Sequence, residues 1–186
     1  FGAILRWADE KPWTGAAVES TDAAPSQSKP PVKRTGDHEP LRVLWITPLR
    51  ALANDTAGAL REPIEELGLP WTVELRTGDT SSSIKARQRR KPPTCLVTTP
   101  ESLSVLLSYA EAPRFFRSVR TIIMDEWHEL MSTKRGVQAE LGLAAVKAFA
   151  RDVQTWGLSA TMGNLEEATN TLVGMDATHR GRATLI

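Results

Sequence analysis

Cysteine is nearly absent: Cys95 is the only one in 186 residues, which excludes an internal disulfide and any metal centre built from several thiolates. A reducing, cytoplasmic setting is the expectation. No apolar run approaches the ~20 residues that a membrane-spanning helix requires. Nothing at the start has the basic, apolar, small-residue order of a secretory signal, so no membrane is expected as a partner. A dominant charge sign is missing too, because 23 Lys and Arg offset 22 Asp and Glu for a formal net charge of +1. That balance neither demands nor excludes nucleic acid, and any such binding has to come from local patches. The rest is ordinary for a globular protein, 41% hydrophobic and 24% charged, enough for one domain with a full-sized core.

Helix start signals are lacking as well. Phe1-Gly2-Ala3-Ile4-Leu5-Arg6-Trp7 reads as the middle of an amphipathic helix with no cap before it, so residues 1–11 are expected to continue a helix begun upstream. Residues 12–40 are rich in Pro, Ala, Ser, Thr and Lys and poor in large apolar side chains. Such a stretch buries too little surface to offset its ordering entropy and is expected to be a flexible surface loop. Its Lys29, Lys33 and Arg34 read as solvated linker charges before they read as a nucleic-acid arm.

From Leu41 the pattern changes. Arg42–Thr47, Thr72–Arg76, Thr94–Thr98, Thr121–Asp125 and Thr155–Ser159 are short apolar, β-branched runs that predict strands. Between them helices are expected near Ala51–Leu67, Ser82–Arg90, Glu101–Ser108 and Gly136–Ala150, with another after Asn164. Strands apolar on both faces and separated by helices predict an α/β domain over residues 41–186: a mostly parallel sheet with helices on both faces, three layers in all. Each strand ends in polar residues, and open α/β sheets bind ligands beyond the carboxyl ends of their strands. Those polar groups therefore converge on one rim, which is the expected site.

Three groups of residues on that rim carry chemistry. Thr121-Ile122-Ile123-Met124-Asp125-Glu126-Trp127-His128 brings a carboxylate pair to the tip of an apolar strand. An acid placed there can hold the magnesium that bridges nucleotide phosphates, and its neighbour can accept a proton from an attacking water. An acidic helix start is the bland alternative. Gly157-Leu158-Ser159-Ala160-Thr161 supplies two hydroxyls one helix and one strand later, and His128 sits where it could join the carboxylates to Ser159. The third group consists of strand-to-helix turns, Thr47-Pro48-Leu49-Arg50, Arg76-Thr77-Gly78-Asp79-Thr80 and Thr99-Pro100-Glu101-Ser102. The N–H groups and hydroxyls of such turns bind phosphates. Plain capping explains any one of them; three on one rim favour a nucleic-acid backbone. Lys85, Arg87, Arg89, Arg90 and Lys91 read equally well as reinforcement of phosphate binding or as the solvated face of a helix. Trp45 and Trp156 read as core, and no role for Trp127 is legible.

As a set these residues resemble the second large superfamily of DNA and RNA helicases. Asp125-Glu126-Trp127-His128 looks like its motif II, Ser159-Ala160-Thr161 like motif III, Thr47-Pro48-Leu49-Arg50-Ala51-Leu52 like motif Ia and Thr99-Pro100-Glu101-Ser102 like motif Ib. With Lys134-Arg135-Gly136-Val137-Gln138 following, the chain is similar to the Lhr-like DEXH-box enzymes, the bacterial ligase-associated helicases among them. The resemblance implies a first RecA-like motor domain using ATP and Mg2+. It implies that Asp125 holds the magnesium through water, that Glu126 activates water, and that His128, Ser159 and Thr161 couple hydrolysis to the grip on nucleic acid. Thr47, Pro48, Arg50, Arg76, Thr77, Gly78, Thr99, Pro100 and Glu101 would line the nucleic-acid path. Implied partners are single-stranded DNA, a DNA duplex or an RNA/DNA hybrid, together with a second RecA-like domain. One departure is clear: the phosphate-binding pattern Gly-x-x-x-x-Gly-Lys-Ser/Thr occurs nowhere in the 186 residues. A non-catalytic nucleic-acid-binding module therefore stands as the alternative.

Overall fold

The computed structural model describes residues 40–131, 133–160 and 165–173, all within one compact unit, His38–Ile186. The helix expected over 1–11 and nearly all of the loop expected over 12–40 lie outside the described residues. Five four-residue strands, β1 (Val43–Ile46), β2 (Val73–Arg76), β3 (Cys95–Thr98), β4 (Thr121–Met124) and β5 (Gln154–Gly157), form one sheet in the order β2-β3-β1-β4-β5. Every pairing is parallel and in step: Leu44 aligns with Leu96 and Ile122, and Ile46 with Thr98 and Met124. The described sheet is thus wholly parallel, where the sequence predicts mostly parallel. β2 and β3 end at the predicted Arg76 and Thr98, whereas β1, β4 and β5 end one or two residues short of the predicted runs, where the terminal polar residues turn out of the ladder.

The five expected helices are present: α1 (Arg50–Glu66), α2 (Ser82–Arg90), α3 (Pro100–Leu107), α6 (Lys134–Phe149) and α7 (Leu165–Val173). Two short ones, α4 (Ala112–Phe116) and α5 (Trp127–Leu130), escape sequence reading because one turn carries no periodicity. Right-handed crossovers dictate the layers. The β1-to-β2 connection runs one way along the sheet and the others run back, so α1 covers the opposite face from α2–α6. Packing agrees with this. Leu44, Ile46, Leu96, Ile122 and Met124 point into one core with Leu103, Leu106, Phe116, Leu143 and Val146. Ala53, Ala57, Leu60 and Ile64 of α1 are buried elsewhere, with α1 packed on β2 and β3. Parallel alignment sends the carboxyl end of every strand to the same rim.

Candidate functional site

β4 delivers Asp125 to that rim, and the Asp125 amide donates to the Ile46 carbonyl at 2.8 Å. Its carboxylate is fixed from two sides. The Glu126 amide donates to Oδ1 at 3.1 Å and the Trp45 indole Nε1 donates to Oδ2 at 3.1 Å. Trp45, read from sequence as core, therefore steers this carboxylate from the neighbouring strand. Glu126 itself takes a left-handed backbone, φ 46° and ψ 48°, a conformation uncommon outside glycine and concentrated at functional sites. The chain then enters α5. Its Trp127 amide donates to the Leu158 carbonyl at 2.9 Å, while the Leu158 amide donates to the Met124 carbonyl at 2.9 Å. The segment after β5 is thereby locked to the carboxylate turn.

That lock brings His128 and Ser159 together. His128 Nδ1 lies 2.8 Å from Ser159 Oγ and 3.4 Å from Glu126 Oε2, while Nε2 lies 3.4 Å from Glu129 Oε1. Glu126, His128 and Ser159 thus form one polar relay. Thr161, expected beside them, lies outside the described residues. Trp127 acquires a role: it is fully buried and its indole N–H donates to the Ala168 carbonyl at 3.3 Å, pinning the carboxylate turn to α7. The donor set fits a magnesium ion. Each Asp125 oxygen accepts one N–H and retains further lone pairs, and Mg2+ keeps several waters while taking one or two carboxylates. Among the described residues no three or more His, Cys, Asp or Glu side chains gather as a metal centre, so Asp125 would act with waters rather than in a protein cage.

Along the same rim, beyond β1, β3 and β2, runs an open groove of about 680 Å³. Of the residues expected on a nucleic-acid path, Pro48, Arg50, Arg76, Gly78, Thr99 and Glu101 line it, together with Lys85, Ser102 and Arg135. The threonines face inwards more than their motifs suggest. Thr47, Thr77 and Thr99 are buried, with Thr47 Oγ1 donating to the Leu49 carbonyl at 3.0 Å and Thr99 Oγ1 to Ser102 Oγ at 3.4 Å. The Thr77 amide donates to Thr80 Oγ1 at 3.0 Å. Pro100, the first residue of α3, is buried as well. Arg76 lines the groove, but it is only 1% exposed, and its Nη1 donates to the Lys85 carbonyl (3.0 Å) and Gln88 Oε1 (3.2 Å). It bolts α2 to β2 and backs the groove wall without presenting a free cation. Burial also lowers its pKa.

Exposed charge in the groove comes in pairs. Arg50 meets Asp79 at 2.7 Å and Arg135 meets Glu101 at 2.8 Å. The hydrogen bond and charge of Asp79 raise the Arg50 pKa. Arg135 is a groove residue that sequence reasoning misses, and Lys85 is one that it leaves open. Three residues of the basic cluster, open to two readings, make contacts within the domain while the cluster stays at the surface. Lys85 Nζ donates to the Gly78 carbonyl at 2.9 Å, Arg87 pairs with Glu74 at 2.7 Å, and the Arg89 guanidinium stacks 4.3 Å above the Tyr109 ring.

Known proteins resemble this chain in sequence and in fold. The "ATP-dependent helicase Lhr-Core" of Methanothermobacter thermautotrophicus is 40% identical over 143 residues, 70% of this chain and 16% of that protein. The "Lhr helicase/ probable uracil glycosylase" of Mycolicibacterium smegmatis is 39% identical over 148 residues, 74% of this chain and 10% of its own length. This chain therefore spans less than a fifth of either relative. Among solved structures, helicase Lhr of Mycobacterium smegmatis bound to ssDNA and AMP-PNP superposes with a TM-score of 0.67 and 38% identity, over 76% of this chain and 20% of that one. Mss116p bound to ssRNA and AMP-PNP, at 18% identity and a TM-score of 0.64 over 72% of this chain and 28% of that one, shares the fold. The model of the DEAD/DEAH box helicase family matches residues 27–168, and the chain belongs to that family.

Proposed function

We propose that this chain is part of the first motor domain of a cytoplasmic, ATP-dependent DNA helicase that couples hydrolysis to 3′-to-5′ movement on single-stranded DNA in repair. The observation that carries the reading is the relay Glu126–His128–Ser159, with its 2.8 Å His128–Ser159 contact, on the same rim as the groove. Magnesium–ATP, when bound, supplies the reactive phosphoanhydride and the cation that neutralises charge on its oxygens. Asp125, oriented by Trp45 and the Glu126 amide, would hold that cation through water. The Glu126 carboxylate, beside His128 and about one-third exposed, would accept the proton of the attacking water. His128 and Ser159 carry any movement of Glu126 to the strand-end segment behind it. Arg50, Thr77, Gly78, Thr99 and Glu101, with Thr47 and Pro48 beneath them, shape the path of a DNA strand or of an RNA/DNA hybrid. A second RecA-like domain closes the cleft and supplies an arginine.

The 186 residues alone lack the glycine-rich phosphate loop pattern, and losing the arginine by itself costs ~10³–10⁵ in rate. The test is the ATPase rate of this chain and of a native-length protein containing it, with and without an oligo-dT strand, beside Glu126→Gln. Turnover in the longer protein alone, stimulated by DNA and lost in the variant, is expected. Turnover by the 186-residue chain that vanishes with Glu126→Gln would overturn its inactivity. A longer protein that binds DNA in a salt-sensitive way without ATPase activity would establish the non-catalytic module instead.

A further inference from the structure

The groove contains a cation that its motifs do not account for. Arg135 lies in the first turn of α6 next to Lys134, and that turn has no acidic residue. Helix N-termini favour anions, so two cations there cost stability; local rules are broken in this way mainly where function requires it. The position is also held rigidly. Thr133 Oγ1 donates to the Leu130 carbonyl at 2.8 Å and accepts the Gly136 amide at 3.0 Å. A Cβ on Gly136 would fall 1.9 Å from the Leu130 carbonyl oxygen, so only glycine allows this close turn. These contacts hold the start of α6, which carries Arg135, against the end of α5.

That guanidinium reaches across to both strand-end turns. Nη1 donates to the Pro48 carbonyl at 3.3 Å, and Nε pairs with Glu101 Oε1 at 2.8 Å. About half of the side chain stays exposed, facing the groove beside Arg50 and Lys85. Glu101 sits in the first turn of α3, where the helix N-terminus favours a carboxylate, and from there it also holds Arg135. Resting on the nucleic-acid reading above, we infer that Arg135 is a phosphate-contacting residue of the groove and that Glu101 is its positioning residue.

Salt dependence separates this from a merely structural role. Each phosphate of a single strand that a cation neutralises adds ~0.7 to the steepness of log Kobs against log salt, and removing that cation takes the same amount away. The experiment is fluorescence anisotropy of a labelled dT oligonucleotide with the 186-residue chain at several salt concentrations. Arg135→Ala is expected to bind on the order of tenfold more weakly and to show a slope shallower by one phosphate. Arg135→Lys should keep the slope but bind more weakly, since a point charge cannot span both partners. Glu101→Gln should weaken binding without changing the slope. Arg120→Ala, which removes the same charge at the other end of the sheet, should leave both unchanged. Thermal melts confirm that each variant folds; if Arg135→Ala does not, a full slope and affinity in the folded Arg135→Lys variant would overturn the assignment. Salt-sensitive binding with an unaltered slope in Arg135→Ala would overturn the assignment alone. No binding by the wild-type chain would overturn the nucleic-acid reading and the assignment with it.

Discussion

Glu126 shows how one backbone angle serves chemistry at the expense of stability. Its φ of 46° costs a non-glycine residue on the order of 1 kcal/mol. Glu126→Gly removes that strain but loosens the unfolded chain, so chemical denaturation should show stability unchanged or raised by up to about 1 kcal/mol, with the proposed base gone. A loss above about 1 kcal/mol would mean that the carboxylate, rather than the chain path, holds the turn. Trp127 behaves in the opposite way. Fully buried and hydrogen-bonded to the Ala168 carbonyl, it should cost about 3–5 kcal/mol when truncated in Trp127→Ala. Trp127→Phe should cost roughly 1–2 kcal/mol for the lost donor and volume. Urea midpoints for the two variants decide this, and a Trp127→Ala midpoint equal to wild type would refute the pinning role.

At the scale of elements, two glycines of α6 invite the same helix-strengthening change with different results. Gly→Ala in a helix interior ordinarily gains about 1 kcal/mol. At Gly142 the new Cβ would press on the Leu103 side chain at 2.7 Å, whereas at Gly136 it meets the Leu130 backbone at 1.9 Å. A side chain can shift and a carbonyl fixed by Thr133 cannot. Thermal melting should therefore place Gly136→Ala well below Gly142→Ala, and the reverse order would contradict the tight turn. Elements are also the level at which the sequence is most legible. Short apolar, β-branched runs and helix-length gaps are enough for five strands and five helices, and Asp125, Glu126, His128 and Ser159 read as one site because strand ends converge. Sequence alone does not show the burial of Arg76, because nothing in its own run tells that a helix is laid over that strand end. It gives Trp45 only to the core, because an indole N–H aimed across to the next strand leaves no mark in its own run. Arg135 escapes because its partners, Pro48 and Glu101, are distant in sequence and near only after two crossovers.

For the molecule as a whole, Cys95 reports on the integrity of the sheet. It is fully buried in β3, between β1 and β2, and burial pushes its thiol up to about 12 from its ordinary 9.0. Keeping the thiol neutral stabilises the fold below pH ~9, and that contribution declines as pH rises from there towards about 12. At pH 8 a thiol reagent should react only as fast as the domain opens globally, and immediately in denaturant. Fast reaction under native conditions would show local opening of β3. The strand order has a further consequence for a chain leaving the ribosome. Among the described strands β1 is made first and occupies the centre of the sheet, but its neighbours, β3 and β4, begin at Cys95 and Thr121. Until Met124 has emerged, the segment Val-Leu-Trp-Ile keeps at least one edge open. Its pairings are all long-range, which makes folding slow and leaves those edges open to association with other chains. Synthesis that pauses between β1 and β4 therefore exposes the most adhesive part of the domain, and chaperone demand during translation should peak there.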